Sequence, residues 1–200
     1  MDGSPFFTCV ARGGDARMRF DDFPDRVERL LARLGDLTGL SVLEPGCGAG
    51  PLTQRLAHGV GPHGRLFAFD HSIGMVEACR RHVGSLPQAV IRQADLYHLA
   101  LGPGVWDLVL LFRVFPHFDR KEEVLRRLHP TLKPGGRLVI ANLEGSAQLN
   151  AMHASFSEAV RHDHMPCASG TRRLLEQAGY QVLLAVDEPD EFHVAACPSA

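Results

Sequence analysis

The sequence predicts one α/β domain built on a mostly parallel sheet of seven strands. Short apolar runs alternate with segments whose apolar residues recur at helical spacing, which is typical of parallel strands covered by helices on both faces. The 200 residues suffice for one such domain and are too few for two. Only residues 187–190 separate the last two apolar runs. Because a parallel crossover needs about a dozen residues, one strand near the edge should run antiparallel.

The individual elements follow from apolar periodicity and from the residues that begin helices. Pro51 suits a first helical turn, whereas Ser72 and Asp119 suit N-caps. Residues 133–136 are expected to form a turn, and residues 1–20 an irregular arm. Strands are expected at 40–43, 66–69, 89–93, 107–111, 138–141, 180–186 and 191–196, and helices at 22–34, 51–58, 73–83, 120–128, 146–162 and 171–178.

Charge and hydropathy indicate a small-molecule partner. Lys and Arg total 21 and Asp and Glu total 23, so the formal net charge is −2. A chain with this charge lacks the excess of positive charge that binding to nucleic acid or anionic lipid requires. No apolar run approaches the ~20 residues that span a bilayer, and the first residues do not resemble a signal peptide. We therefore expect a cytoplasmic protein that binds neither nucleic acid nor membrane. The five scattered cysteines predict neither a disulfide framework nor a zinc site.

A glycine-rich turn follows the first predicted strand. Glycines stand at positions 46, 48 and 50 and Pro51 follows them. Glycines at a strand-to-helix turn let the backbone approach a ligand closely, and ligands of open α/β sheets bind at this edge. The dinucleotide fingerprint needs its third glycine where Pro51 stands, so a nicotinamide-dependent oxidoreductase is disfavoured. A structural turn without a ligand is the alternative interpretation of these glycines alone.

Two acidic residues support a nucleoside ligand. Asp70 ends the second predicted strand and Asp95 follows the third. A carboxylate accepts two hydrogen bonds, so Asp70 suits a pair of ribose hydroxyls and Asp95 an exocyclic amino group. Either aspartate alone is explained as a cap or loop residue, but three such features in order, each at a strand end, favour the ligand.

With these motifs the sequence resembles the class I S-adenosylmethionine (SAM)-dependent methyltransferases over residues 22–196. The resemblance implies a three-layer Rossmann-like methyltransferase fold with strand order 3-2-1-4-5-7-6 and strand 7 antiparallel. It implies a single domain over 1–200, with residues 1–20 as an arm or lid and residues 144–168 as a helical cap over the acceptor site. The motifs that carry the resemblance are Val42-Leu43-Glu44-Pro45-Gly46-Cys47-Gly48-Ala49-Gly50, Leu66-Phe67-Ala68-Phe69-Asp70, Gln93-Ala94-Asp95-Leu96, Trp106-Asp107-Leu108-Val109 and Leu132-Lys133-Pro134-Gly135-Gly136.

The same resemblance assigns cofactor-binding residues. Asp70 should hold the ribose, and Asp95 with Leu96 should contact the edge of the adenine. His71, where an apolar residue is common in the family, should flank the adenine together with Met75. The residues expected to line the rest of the cofactor are Glu44, Gly46, Cys47 and Gly48 at the methionyl and ribose parts, and Phe112 beside the sulfonium.

The sequence gives fewer indications of the residues that would bind the methyl acceptor. No Asn/Asp-Pro-Pro-Tyr/Phe motif follows strand 4, which argues against the amine N-methyltransferases that use it. His117 is the candidate general base because imidazole titrates near neutrality, and a backbone-bonded loop histidine is the alternative. Arg113 either clamps an anionic acceptor or pairs with an aspartate at the surface, and the second is favoured.

A polar set on the helix predicted after strand 5 completes the candidate site. If residues 146–164 form one helix, Asn150, His153 and His164 share a face. His117 and His153 are therefore the candidate catalytic residues, and a metal bound by His117, His153 and His164, with or without Asp163, stays open. A solvated helix is the simpler alternative.

These observations predict a SAM-dependent methyltransferase that acts on a small molecule and releases S-adenosylhomocysteine. The alternative is a SAM-binding or metal-binding regulatory protein without turnover. The acceptor and the oligomeric state are not predicted.

Overall fold

A computed structural model describes residues 20–155 and 163–199. The chain divides into two compact units, Met1–Leu99 and Ala100–Ala200. Most of the expected N-terminal arm and the last part of the helix expected over 146–162 lie outside the described residues.

The strand order 3-2-1-4-5-7-6 is confirmed. The last two strands are antiparallel to each other, and strand 7 is also antiparallel to strand 5, as the short link between them predicts. The strands are β1 (Ser41–Pro45), β2 (Arg65–Asp70), β3 (Ala89–Gln93), β4 (Trp106–Phe112), β5 (Leu132–Asn142), β6 (Tyr180–Glu188) and β7 (Glu191–Pro198).

The first unit contains β1 to β3 in parallel register. Its helices are α1 (Pro24–Leu34), α2 (Pro51–Val60) and α3 (Ile73–Val83). Helix α2 packs on β1, β2 and α3, and every residue of β1 is buried. A fully buried strand needs apolar residues on both faces, so the charged Glu44 within β1 is an exception that points to the site below.

The second unit contains β4 to β7 with α4 (Lys121–Leu128), α5 (Ser146–Ala154) and α6 (Ala168–Gln177). Helix α6 packs on β6, β7 and α4. The hydroxyl of Tyr180, at the start of β6, donates to the Leu125 carbonyl at 3.0 Å. The polar atom of this buried side chain is therefore hydrogen-bonded within the protein.

Three sequence predictions about element bounds are wrong. Residues 133–136 are not a separate turn but an irregular stretch of β5, since Trp106 pairs with Leu132 and Leu108 with Arg137. Asp119 does not cap α4, because Arg120 takes the N-cap position. Helix α5 ends at Ala154, so His164 lies on a later segment and does not share a helix face with His153.

Gly50 packs closely against α3. It is left-handed at φ 94°, and a Cβ there would lie 2.7 Å from Sγ and 2.9 Å from Cα of Cys79 on α3. Gly50→Ala should therefore lower the free energy of unfolding by about 2 kcal/mol through overpacking, measured by urea denaturation. Gly39→Ala is the control, because the φ of Gly39 is also positive, at 75°, but a Cβ there meets no atom within 4 Å. Equal losses in the two variants would contradict this account.

Within the described ranges, no helix combines the length and the apolar character that a membrane crossing requires.

Candidate active site

The glycine turn is held against the end of β2 by its own backbone. The amides of Gly46 and Cys47 both donate to the Phe69 carbonyl, at 2.7 and 3.0 Å. Gly46 and Gly48 have φ of 74° and 53°, a region that glycine enters without the steric cost a Cβ imposes. The glycines therefore allow the chain to reverse direction after β1, so that the turn lies beside the end of β2.

Asp70 locks this turn to the start of α3. Its Oδ2 accepts from the Gly48 amide at 3.1 Å, and its Oδ1 accepts from the Ser72 amide at 2.9 Å. Ser72 takes the predicted N-cap position, but its side chain makes no capping hydrogen bond. The carboxylate of Asp70 thus joins the glycine turn to the start of α3, in addition to being a candidate ribose ligand. The sequence did not predict this structural role.

Glu44 is buried in β1 beneath the turn, with 2% of its surface exposed. Its Oε2 has no hydrogen-bond partner among the described residues. Burial raises the pKa of Glu44 well above the usual glutamate range, and the Thr53 side chain offsets this only in part. A buried acid without a partner is costly, so this position favours a ligand that supplies a donor.

The residues expected around the adenine differ in exposure. The side chain of His71 is about half exposed, whereas Met75 and Leu96 are buried. Asp95 accepts from the Tyr97 amide at 2.9 Å and lies 2.9 Å from Nδ1 of His98. Its side chain is still 47% exposed, so the carboxylate can reach a further donor.

Cys47 is buried in the turn and packs near Cys79. A hydrogen bond with the Cys79 thiol, and then burial, raise the pKa of Cys47. The thiolate is the reactive form of cysteine, so Cys47 is a packing residue, as its place in the turn predicts.

The second unit brings His117 and His153 together. Their ring centroids are 5.6 Å apart. Nδ1 of His117 lies 2.5 Å from Oδ2 of Asp163, and Nδ1 of His153 lies 3.1 Å from the Asp163 carbonyl oxygen. Asp163 is therefore the common partner of both imidazoles. His164 is exposed, although the sequence placed it in the cluster.

Two neighbouring side chains hold this cluster in place. Lys121 donates to the carbonyls of Pro116 and Phe118, at 3.1 and 2.8 Å, and so fixes the short 3-10 turn that carries His117. The amide of Asn150 bonds both backbone groups of Met165, at 2.9 and 2.8 Å. Because both ends of that amide are used, Asn150 positions the segment after Asp163 instead of facing a ligand.

Arg113 lies beside Glu144, whereas the interpretation favoured from the sequence was a pair with an aspartate at the surface. Its Nη2 lies 3.7 Å from Oε2 of Glu144, with side chains 17% and 12% exposed. Arg113 follows β4 in a left-handed conformation at φ 55°, next to the half-buried Phe112. Burial lowers the pKa of Arg113, and Glu144 opposes that shift.

The described residues contain no group of three or more histidine, cysteine or acidic side chains arranged to hold a metal ion.

His153 should give the protein a pH-dependent stability. Burial is the main cause that lowers the pKa of His153, and the nearby His117 and Arg113 lower it further. Asp163 opposes this shift through its backbone carbonyl and its charge. Because the unfolded chain takes up the proton first, the free energy of unfolding should fall as pH drops below about 6.5 and level off below the folded pKa. In His153→Gln, this fall between neutral pH and pH 5 should be smaller in urea denaturation series. Identical slopes in the two proteins would contradict the assignment.

The chain is similar in sequence to proteins that are named methyltransferases. Residues 42–136 match a family model described as a methyltransferase domain. The chain is 33% identical over 113 residues to the demethylmenaquinone methyltransferase of Lactococcus lactis, covering 56% of this chain and 45% of that protein. It is 32% identical over 135 residues to the ubiquinone/menaquinone biosynthesis C-methyltransferase of Pseudomonas fluorescens, covering 66% of this chain and 52% of that protein. The chain thus spans about half the length of these curated relatives.

A solved structure agrees with the fold over nearly the whole chain. The DhpI–SAH complex matches with a TM-score of 0.78 at 20% identity, covering 99% of this chain and 96% of that one. This likeness shows the fold, and residues 42–136 are similar in sequence to a methyltransferase domain.

Proposed function

We propose that this protein transfers the methyl group of SAM to a small-molecule acceptor and releases S-adenosylhomocysteine. The observation that carries the proposal is the bracket made by Asp70 between the Gly48 and Ser72 amides. It holds a carboxylate beside the glycine turn.

The residues of the first unit fit SAM on three counts. The buried Oε2 of Glu44 lacks a partner among the described residues, and the ammonium group of the methionyl part would supply one. A Cβ at Gly48 would meet no atom within 4 Å, so space remains for a ligand there. Each oxygen of Asp70 accepts one amide and keeps a further lone pair, which suits the two ribose hydroxyls.

The acceptor side is assigned to the second unit. SAM supplies the methyl group as an electrophile on a sulfonium, so the protein's own task is to position the acceptor and remove its proton where needed. Parallel strands of an open sheet present their ligand-binding loops at one edge. The segments after β4 and β5 carry His117 and His153, which we propose as the catalytic residues, with Phe112 at the end of β4 beside the sulfonium.

Two observations support a small-molecule acceptor. The formal net charge of −2 disfavours a polyanionic partner, and the relatives from Lactococcus and Pseudomonas are named for quinone biosynthesis. The acceptor itself is open.

Titration calorimetry of the purified protein with SAM, S-adenosylhomocysteine and NAD tests the cofactor. We expect micromolar binding of the first two and none of NAD. Binding of NAD in place of SAM would overturn the proposal.

A further inference from the structure

Glu44 lies where ionisation of a carboxyl group is costly. Every residue of β1 is buried, and Glu44 is 2% exposed. Its Oε2 has no hydrogen-bond partner among residues 20–155 and 163–199. A carboxylate that is removed from water without a partner is far more costly than the protonated acid. The position therefore favours the protonated form of Glu44.

The side chains around Glu44 add to this preference. Burial is the main cause that raises the pKa of Glu44, and the Thr53 hydroxyl on α2 lowers it in part. Cys79 on α3 and Asp70 at the end of β2 raise the pKa further, since both disfavour a second negative charge. Cys47 in the glycine turn also interacts electrostatically with Glu44. These titratable neighbours are thiols and a carboxylate, and none of them supplies a positive charge.

The arginines of α2 and α3 have other partners. Arg55 on α2 pairs with Glu28 of α1, and Arg80 on α3 donates twice to the Ile91 carbonyl of β3. In the part of the chain that the structure describes, no basic side chain forms an ion pair with Glu44. A positive charge that lets Glu44 ionise must therefore come from a ligand.

From this arrangement we infer that Glu44 is neutral in the free protein and gives up its proton when the ammonium group of SAM or S-adenosylhomocysteine binds. The inference rests on the proposed function and adds a specificity-determining role for Glu44 in the same site. The proton passes to the buffer and its electron pair stays on the carboxylate, so no further reagent is needed. A nucleoside without the amino-acid group brings no cation and should leave Glu44 protonated.

This coupling makes the preference for an amino-acid group depend on pH. Because the free protein holds a proton that the complex lacks, the affinity for S-adenosylhomocysteine should rise with pH between the pKa of Glu44 in the complex and its higher pKa in the free protein. For one proton the rise is at most about tenfold per pH unit. The affinity for 5′-methylthioadenosine, which has the same nucleoside but no amino-acid group, should not share this rise.

Titration calorimetry in buffers of different ionisation enthalpy counts the protons released on binding. S-adenosylhomocysteine and 5′-methylthioadenosine are both thioethers without the sulfonium charge. They share the nucleoside, so any proton exchanged at Asp70, His71 or Asp95 is common to both. At about pH 6, where an α-ammonium group is charged, S-adenosylhomocysteine should release more than 5′-methylthioadenosine, by up to about one proton per molecule.

Two variants assign this excess to Glu44. In Glu44→Gln the excess should vanish, because the amide cannot ionise. Glu77→Gln, the same change at an exposed glutamate of α3, should keep it. Equal proton counts for the two ligands in the wild type would overturn the inference, and so would an excess that persists in Glu44→Gln.

Glu44→Gln should bind 5′-methylthioadenosine as tightly as the wild type, because glutamine resembles the neutral acid in size and shape. Such binding also shows that the variant is folded. If Glu44→Gln does not fold, the wild-type affinities between about pH 5 and pH 7 still decide the matter. Parallel slopes for the two ligands would contradict the inference.

Infrared spectra of the free protein give a readout that needs no ligand. At about pH 6, where exposed carboxyl groups are ionised, we expect a protonated-carboxyl band in the wild type and in Glu77→Gln but not in Glu44→Gln. A wild-type spectrum without this band would overturn the inference. Binding of S-adenosylhomocysteine without the excess proton would contradict the inference alone, whereas no binding at all would contradict the proposed function as well.

Discussion

Asp70→Asn should weaken the binding of S-adenosylhomocysteine by about 1000-fold. Hydrogen bonds to a charged group contribute about 1.5–3 kcal/mol each, and loss of two such bonds to a ribose corresponds to about 4 kcal/mol, or three decades of Kd. An asparagine also turns its NH2 group toward one of the two amides that the carboxylate accepts, from Gly48 and Ser72. Titration calorimetry measures the effect.

The control for Asp70→Asn is Asp25→Asn, which removes the same charge from an exposed position of α1. Its affinity for S-adenosylhomocysteine should equal that of the wild type. A thermal melt shows whether Asp70→Asn is folded at the temperature of the titration. A folded Asp70→Asn protein with wild-type affinity would contradict the assignment of Asp70 as the ribose ligand.

Arg113→Met should lower the free energy of unfolding by about 3 kcal/mol. The change removes the cation beside Glu144 and leaves a carboxylate that is only 12% exposed, and breaking a buried pair on one side costs about 3–5 kcal/mol. We place the effect at the lower end because the closest approach is 3.7 Å. The left-handed φ of 55° at this position costs methionine and arginine alike, so backbone strain does not contribute to the difference.

A double-mutant cycle separates the pair from other effects of Arg113. Glu144→Gln removes the carboxylate charge, and Arg113→Met combined with Glu144→Gln should recover most of the stability lost in Arg113→Met, with a coupling energy of about 2 kcal/mol. Urea denaturation of the four proteins gives these values. Additive losses in the double variant would show that the two side chains do not stabilise each other.

The strand order was predicted from the resemblance to the methyltransferase family, because local patterns show where strands lie but not how they are ordered in a sheet. The antiparallel pair was predictable from the residues alone, since the link at 187–190 is too short for a parallel crossover. The bounds of β5 were not predictable in the same way. Pro134 and Gly135 are typical of a turn, but the pairing of Trp106 with Leu132 extends the strand across them.

The candidate site was predictable only in part. The place of Asp70 at the end of β2 predicts a ribose ligand, whereas its bonds to Gly48 and Ser72 depend on how the turn folds back. The contact of His117 with Asp163 joins residues 46 positions apart, which no local pattern encodes. His164 was placed beside His153 by assuming that one helix continued to it, but α5 ends at Ala154.

The most direct test of the central claim is transfer of a labelled methyl group. Purified protein is incubated with methyl-tritiated SAM and the small-molecule fraction of a cell extract, and the label and S-adenosylhomocysteine are counted after separation by size. Methyl transfer to a small molecule predicts label in the small-molecule fraction and an equal amount of S-adenosylhomocysteine. Tight SAM binding without any transfer would instead indicate a regulatory protein, and label confined to protein or nucleic acid would contradict the small-molecule acceptor.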